Sequence, residues 1–196
     1  MKTMKVKVTL LEEMLGTASA NPEIHDEFIA SNAPDAPSRE EEIAALGVEA
    51  VQEKGKTVFP RNAEGRPIMW DYQIKGFFKD AAGMLRKVPG TKSAGCKAYK
   101  KQIDGLIFVE PRMIPLEFVG EVGDCQRPLR AQTMQGERVA LASSETVPAG
   151  TTMEFTVSCL VASDMAMVEE WLDYGRMRGL GQWRNSGKGR MSWEQC

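Results

Sequence analysis

"TTMEFTVSCLVASDMAMVEEWLDYGRMRGLGQWRNSGKGRMSW", Thr151 to Trp193, reads as strand, helix, glycine-rich loop and strand in that order. Phe155, Val157 and Cys159 alternate with Glu154, Thr156 and Ser158, the period of two expected of a strand with one buried face. Ser163 or Asp164 then offers an N-cap, and Met167, Val168, Trp171 and Leu172 recur at helical spacing. Gly175 to Arg190 interrupts that pattern with five glycines, and "RMSW" (Arg190–Trp193) returns to short extended chain.

The first half of the chain repeats the plan. In "MKVKVTLL" (4–11), Val6, Val8 and Leu10 alternate with Lys5, Lys7 and Thr9, a half-buried strand. "TVFPRNAEGRPIMW" places the turn "NAEGR" between two short extended pieces. "DYQIKGFFKDAAGMLRK" follows, with Ile74, Phe77, Phe78, Ala81 and Leu85 on one helical stripe. "GLIFVEPRMIPLEF" is strand-like, but Pro111 and Pro115 confine it to edge or bulged positions. "RPLRAQTM" and "RVALASSETV" read as further extended chain.

Two segments stand outside this series. "SREEEIAALGVEAVQEKG" opens with Ser38 and carries Glu41 three residues on, a capping-box pattern that predicts an acidic helix over 38–55. "VPGTKSAGCKAYKKQ" is basic and punctuated by Gly and Ser, and reads as a mobile loop over 88–104. With the acidic helix set aside, the order is strand, helix, extended pieces with a hairpin, helix, strand. That order predicts an α+β fold with a ferredoxin-like, RRM-like β-α-β-β-α-β core. A chain of 196 residues is most simply one domain over 1–196. Its insertions are an acidic loop and helix at 17–57 and the basic loop at 88–104, and a glycine-rich basic loop follows at 175–190.

Composition narrows the chemistry. No apolar run approaches the ~20 residues that span a bilayer, and the apolar stretch after Met1 stops at Glu12, so no membrane contact and a cytoplasmic location are expected. Cys96, Cys125, Cys159 and Cys196 form no C-x-x-C pair, and His25 is the only histidine. This argues against a structural metal site, a disulfide scaffold and a histidine-based nucleophile, and no cofactor motif occurs. The net charge of −2 conceals segregation: Met1–Glu53 holds eleven acids and four bases, whereas Arg61–Lys101 holds ten bases and three acids. Such separation creates a positive face suited to a polyanion.

The loop "GRMRGLGQWRNSGKGR" concentrates that charge without a single acid. Its glycines leave room for backbone N–H groups to meet a ligand, and Arg176, Arg178, Arg184, Lys188 and Arg190 match phosphate. Trp183 adds a face on which a base can stack. The alternative to this favoured reading is a helix C-cap at Gly175 followed by turns, with Trp183 packed inward. Lys92, Lys97, Lys100 and Lys101 with Tyr99 form a second basic patch, either a strand-gripping loop or solvated chain.

On these residues the chain resembles the RAMP superfamily, the CRISPR effector-backbone and crRNA-processing proteins. "GRMRGLGQWRNSGKGR" is similar to that family's C-terminal glycine-rich loop, and "NAEGRPIMWDYQIKGFFKDAA" to its hairpin leading into the first core helix. "MKVKVTLLEEMLGTA" resembles the opening strand and glycine exit, and "SETVPAGTTMEFTV" a family hairpin. The resemblance implies an RRM-like domain that binds RNA along its core and polymerises on it. Lys75, Lys79, Arg176, Arg178, Arg184, Lys188 and Arg190 would then neutralise phosphates, with Trp183 stacking. Single-stranded RNA or DNA is the expected partner, with copies of the chain or CRISPR effector subunits beside it. A protein-binding reading stays open, in which a phage or mobile-element protein imitates or inhibits a CRISPR subunit. Strand cleavage would fall to Asp26 or Asp35, loop acids after the first strand that sit in no sharp motif.

Overall fold

The structure, a computed structural model, describes residues 1–20, 56–133 and 136–196, with 129–133 and 136–140 described by backbone alone. The expected acidic helix over 38–55, His25, Asp26 and Asp35 all lie outside the described residues.

Eleven strands and three α-helices are present among the described residues. Strand β1 (Lys2–Leu10) sends Met4, Val6, Val8 and Leu10 to one face, as its alternation dictates. The short strands β2 (Met14–Leu15), β3 (Ala18–Ser19), β4 (Thr57–Val58) and β5 (Ile68–Trp70) lead to helix α1 (Asp71–Leu85). Before β5, Asn62 Oδ1 accepts from the backbone N–H groups of Glu64 and Arg66, which closes the "NAEGR" turn. Helix α2 (Tyr99–Leu106), β6 (Ile107–Glu110) and β7 (Met113–Pro115) follow. A long hairpin joins β8 (Gly123–Thr133) to β9 (Gly136–Val147), and β10 (Thr152–Cys159), α3 (Met165–Arg178) and β11 (Met191–Gln195) complete the chain.

The core sheet is antiparallel with spatial order β11-β1-β10-β6. If its strands are numbered by their place in the β-α-β-β-α-β series, the order is 4-1-3-2, the ferredoxin-like arrangement expected from sequence. Strand β6 lies at the sheet edge and stops at Glu110, immediately before Pro111, which has no N–H to continue a ladder. Helices α1 and α3 contribute Phe77, Phe78, Val168, Trp171 and Leu172 to one buried cluster with Val6, Val8, Phe155 and Val157 of the sheet. Phe78 and Trp171 meet at 5.6 Å between ring centroids, joining the two helices.

Three local expectations need correction. Residues 88–104 are not loop throughout: turns run to Ala98, and helix α2 then begins at Tyr99. The helix is easily missed because Ile103 is its only buried residue and Lys100 and Lys101 dominate its start. Asp164 does not cap α3 with its side chain; it is buried and accepts from Gln102 Nε2 at 2.7 Å. Finally, Gly175 to Arg178, read as the start of the glycine-rich loop, form the last turn of α3, which ends at Gly179. Gly175 is buried there because a Cβ would collide with Met191, 2.2 Å from its Cε.

Candidate nucleic-acid interface

Past Gly179 the chain folds back on itself. Leu180 is buried, and its N–H donates to the Gly189 carbonyl at 2.8 Å, while the Gly189 N–H donates to the Glu13 carbonyl at 2.8 Å. A Cβ on Gly189 would stand 2.0 Å from the Leu180 carbonyl oxygen, and one on Gly179 would stand 2.5 Å from that of Lys188. These glycines therefore permit backbone to cross backbone, and the loop is a built element sutured to the exit of β1.

The basic side chains are held in a definite pattern. Asp80 of α1 accepts from two guanidinium groups through Oδ2, Arg178 Nε at 2.9 Å and Arg184 Nη1 at 2.8 Å. The hydrogen bond to Asp80 raises the Arg178 pKa above its ordinary value. Lys188 pairs with Glu13, and that hydrogen bond raises the lysine pKa. Arg176 and Arg190 are exposed, with no side-chain hydrogen bond or ion pair among the described residues.

Lys75 and Lys79 lie elsewhere. They occupy one stripe of α1, four residues apart, and face α2: Lys75 Nζ donates to the Asp104 carbonyl at 3.1 Å, and Lys79 pairs with the Asp104 carboxylate at 2.6 Å. Gly76 and Asp80 form the adjacent stripe, which faces the glycine-rich loop. The expected phosphate ligands therefore fall into two groups on neighbouring sides of α1.

Between Gly76 and the loop lies an open cleft of about 230 Å³. Met69, Phe77 and Leu180 contribute apolar lining, and Thr17, Gln73 and Arg184 contribute polar groups. A Cβ placed on Gly76 would meet nothing within 4 Å, so the absent side chain leaves the cleft open at that point of the helix.

Trp183 stands at the loop's outer turn, with φ 54 and ψ 33, and is the one non-glycine residue with positive φ among the described residues. It is 42% exposed. Arg127, absent from the sequence-based expectations, lies 5.3 Å from the ring centroid through its guanidinium carbon. Arg127 is only 8% exposed and is fixed by Gln182 Oε1 at 2.9 Å and Ser144 Oγ at 3.4 Å. Gln182 in turn donates to the Gly16 carbonyl at 2.8 Å. Sequence gave no signal for this contact, because 56 residues separate Arg127 from Trp183 and only the hairpin brings them together.

No helix among the described residues is long and apolar enough to cross a membrane. No protein-family model matches the sequence, and no curated protein matches it. Solved structures do match. A chain of the cryo-EM structure of the type III-B Cmr-beta complex bound to cognate target RNA aligns with all of this chain, at TM-score 0.53 and 11% identity. This chain spans 59% of that one's length. A type IV-B CRISPR complex contributes a second match, over 100% of this chain and 90% of the other, at TM-score 0.50 and 11% identity. The crystal structure of Cmr4 aligns over 99% of both chains at TM-score 0.46 and 12% identity. At such identity the likeness is one of architecture: the chain shares the α+β fold found in the first two complexes, the fold its resemblance to the RAMP superfamily implies.

Proposed function

We propose that the chain binds single-stranded nucleic acid, RNA in preference to DNA, without cutting it, as a backbone-type subunit able to assemble along the strand. Trp183 is the observation that carries this reading. A left-handed backbone costs a bulky residue about 1–2 kcal/mol, and such outliers gather at binding sites. Here the strained turn holds an indole at the surface, with a guanidinium set against its ring. Stacking on an aromatic ring contributes about 1–3 kcal/mol per base and accepts any base. From Trp183 the strand passes Arg184 into the cleft over Gly76, while Arg176 and Arg190 supply uncompensated charge. Lys75 and Lys79 meet phosphates on the α2 side of α1, and Arg178 and Lys188 keep the loop in shape beside them. The cognate target RNA in the Cmr-beta structure favours RNA as the strand.

Filter binding with a labelled single-stranded RNA tests the proposal. Wild type binds at low salt, and Trp183→Asn, whose side chain tolerates the left-handed backbone, binds about tenfold or more weakly with an unchanged melting temperature. Absence of wild-type binding at low salt would sink the proposal. One observation favours a protein partner instead: Asp80, Glu13 and Asp104 neutralise much of the basic surface from within. On that second reading the chain imitates or inhibits a CRISPR subunit, and pull-down of effector subunits survives nuclease treatment.

A further inference from the structure

Three aromatic side chains are exposed among the described residues: Trp183, Tyr72 and Phe108, at 42%, 57% and 43%. Trp183 belongs to the glycine-rich loop. The other two lie on the α2 side of α1: Gln73 and Gly76 line the cleft, whereas Tyr72 and Lys75 occupy the neighbouring stripe of the helix. Exposed apolar rings that gather on one face mark contact surfaces.

The rings on this face are fixed in place. Trp70, the residue before α1, stacks with Tyr72, ring centroids 6.2 Å apart and planes 13° from parallel. The Arg112 guanidinium carbon lies 5.8 Å from the Trp70 centroid. Two backbone donors secure this trio: the Trp70 N–H bonds to Gln73 Oε1 at 2.8 Å, and the Asp71 N–H to the Arg112 carbonyl at 3.0 Å. Strand pairing of β5 with β7 sets Trp70 opposite Met113. One turn along α1, Lys75 shares a face with Tyr72, since residues three apart are helical neighbours. Its Nζ lies 5.4 Å from the Phe108 centroid and donates to the Asp104 carbonyl at 3.1 Å. Phe108 is held by edge strand β6, where it pairs with Ser158 of β10. Neither Lys75 nor Arg112 has an ion pair among the described residues.

An exposed aromatic surface with a cation against it, the unit formed by Trp183 and Arg127, thus recurs here at Phe108 with Lys75 and at the Tyr72–Trp70 stack with Arg112. We propose that Tyr72 and Phe108 form a second base-stacking station for single-stranded nucleic acid, with Lys75 and Arg112 supplying charge for its phosphates. A ring face beside an uncompensated cation suits a ligand that is both flat and anionic, which describes a nucleotide and no unmodified amino-acid side chain. The inference rests on the strand-binding reading and adds to it a site outside the glycine-rich loop.

Filter binding of a single-stranded RNA carrying 5-bromouridine, followed by irradiation and peptide mapping, reads affinity and contact on the full chain. Tyr72→Gln and Phe108→Thr use residues suited to helix and strand. Each is expected to keep the wild-type melting temperature and to bind about tenfold more weakly, the loss of one stacked base. Tyr72→Phe and Phe108→Tyr retain a ring and bind as wild type. Wild-type cross-links fall in the peptides that hold Trp70 and Tyr72 and in the peptide that holds Phe108, besides that of Trp183. Unchanged affinity in both Tyr72→Gln and Phe108→Thr, or cross-links at Trp183 alone, overturns the proposal and leaves the Trp183 reading standing. The converse result, weaker binding by these two variants with Trp183→Asn unaffected, keeps this station and removes the loop from the strand's path. If Tyr72→Phe and Phe108→Tyr lose as much affinity as the ring-free variants, the rings serve the scaffold and the proposal falls. It falls too if the ring-free variants keep strand affinity but lose a nuclease-resistant pull-down of effector subunits, which assigns this face to a protein. Absence of wild-type binding overturns both readings.

Discussion

Gly189 and Gly187 both adopt left-handed backbone, at φ 71 and 88, yet their surroundings differ. At Gly187 the nearest atoms to an added Cβ belong to the flexible Arg190 side chain, at 3.6 Å, whereas at Gly189 they are Leu180 backbone at 2.0 Å. Gly187→Ala is therefore expected to cost about 1 kcal/mol of backbone strain, and Gly189→Ala about 2–4 kcal/mol. Urea melts of the two variants measure the difference, and equal losses would contradict a loop held by backbone crossing. Sequence shows the glycines but not this distinction, which depends on where Leu180 runs. Burial at Cys159 is a second residue-level effect: desolvation pushes the thiol up to about 11 from an ordinary 9.0. A raised folded-state pKa gives stability that is complete below the unfolded value and is lost as pH climbs towards the folded one. Stability should thus fall by about 2–3 kcal/mol between pH 9 and 11 from this group, and chemical denaturation across that range should show a smaller decline in Cys159→Ala.

Helix α1 was legible because its determinants are local: Ile74, Phe77, Phe78 and Ala81 repeat at helical spacing and all are buried. Helix α2 has no such stripe, and its lysines gave the impression of loop. Ion pairing was illegible for another reason. Arg178 and Asp80 are 98 residues apart, and Lys188 and Glu13 are 175 apart, so only the closed fold shows that the basic loop carries its own counter-charges. Lys75 and Gly76 are neighbours in the chain, yet the helix splits them, with the lysine towards α2 and the glycine beside the cleft. That placement yields a test. Gly76→Leu removes a glycine from a helix interior, a gain of about 0.5–1 kcal/mol, and projects a side chain into open space. The expected result is an unchanged or higher melting temperature with strand affinity about tenfold lower, the loss of about one stacked base. Unchanged affinity would remove the cleft from the strand's path.

For the whole molecule, the β-α-β-β-α-β series was legible because each core element carries its own period, whereas the spatial order β11-β1-β10-β6 is seen only in the closed fold. Net function depends on charge that no single element reveals. Seven cations were expected to meet phosphate: Lys75, Lys79, Arg176, Arg178, Arg184, Lys188 and Arg190. Three carboxylates, Asp80, Glu13 and Asp104, are committed to four of them, so four positive charges remain uncompensated. For single strands, the logarithm of the binding constant falls with the logarithm of salt at about 0.7 per phosphate neutralised. Seven free cations give a slope of about −5, and the charge left after internal pairing gives about −3. The two values separate readily in a filter-binding series from low to physiological salt. A slope near −3 that steepens by about 0.7 in Asp80→Asn, which removes one carboxylate shared by two guanidiniums, is the expected outcome. A wild-type slope near −5 would mean that the strand displaces all three carboxylates and that the internal pairs do not persist in the complex.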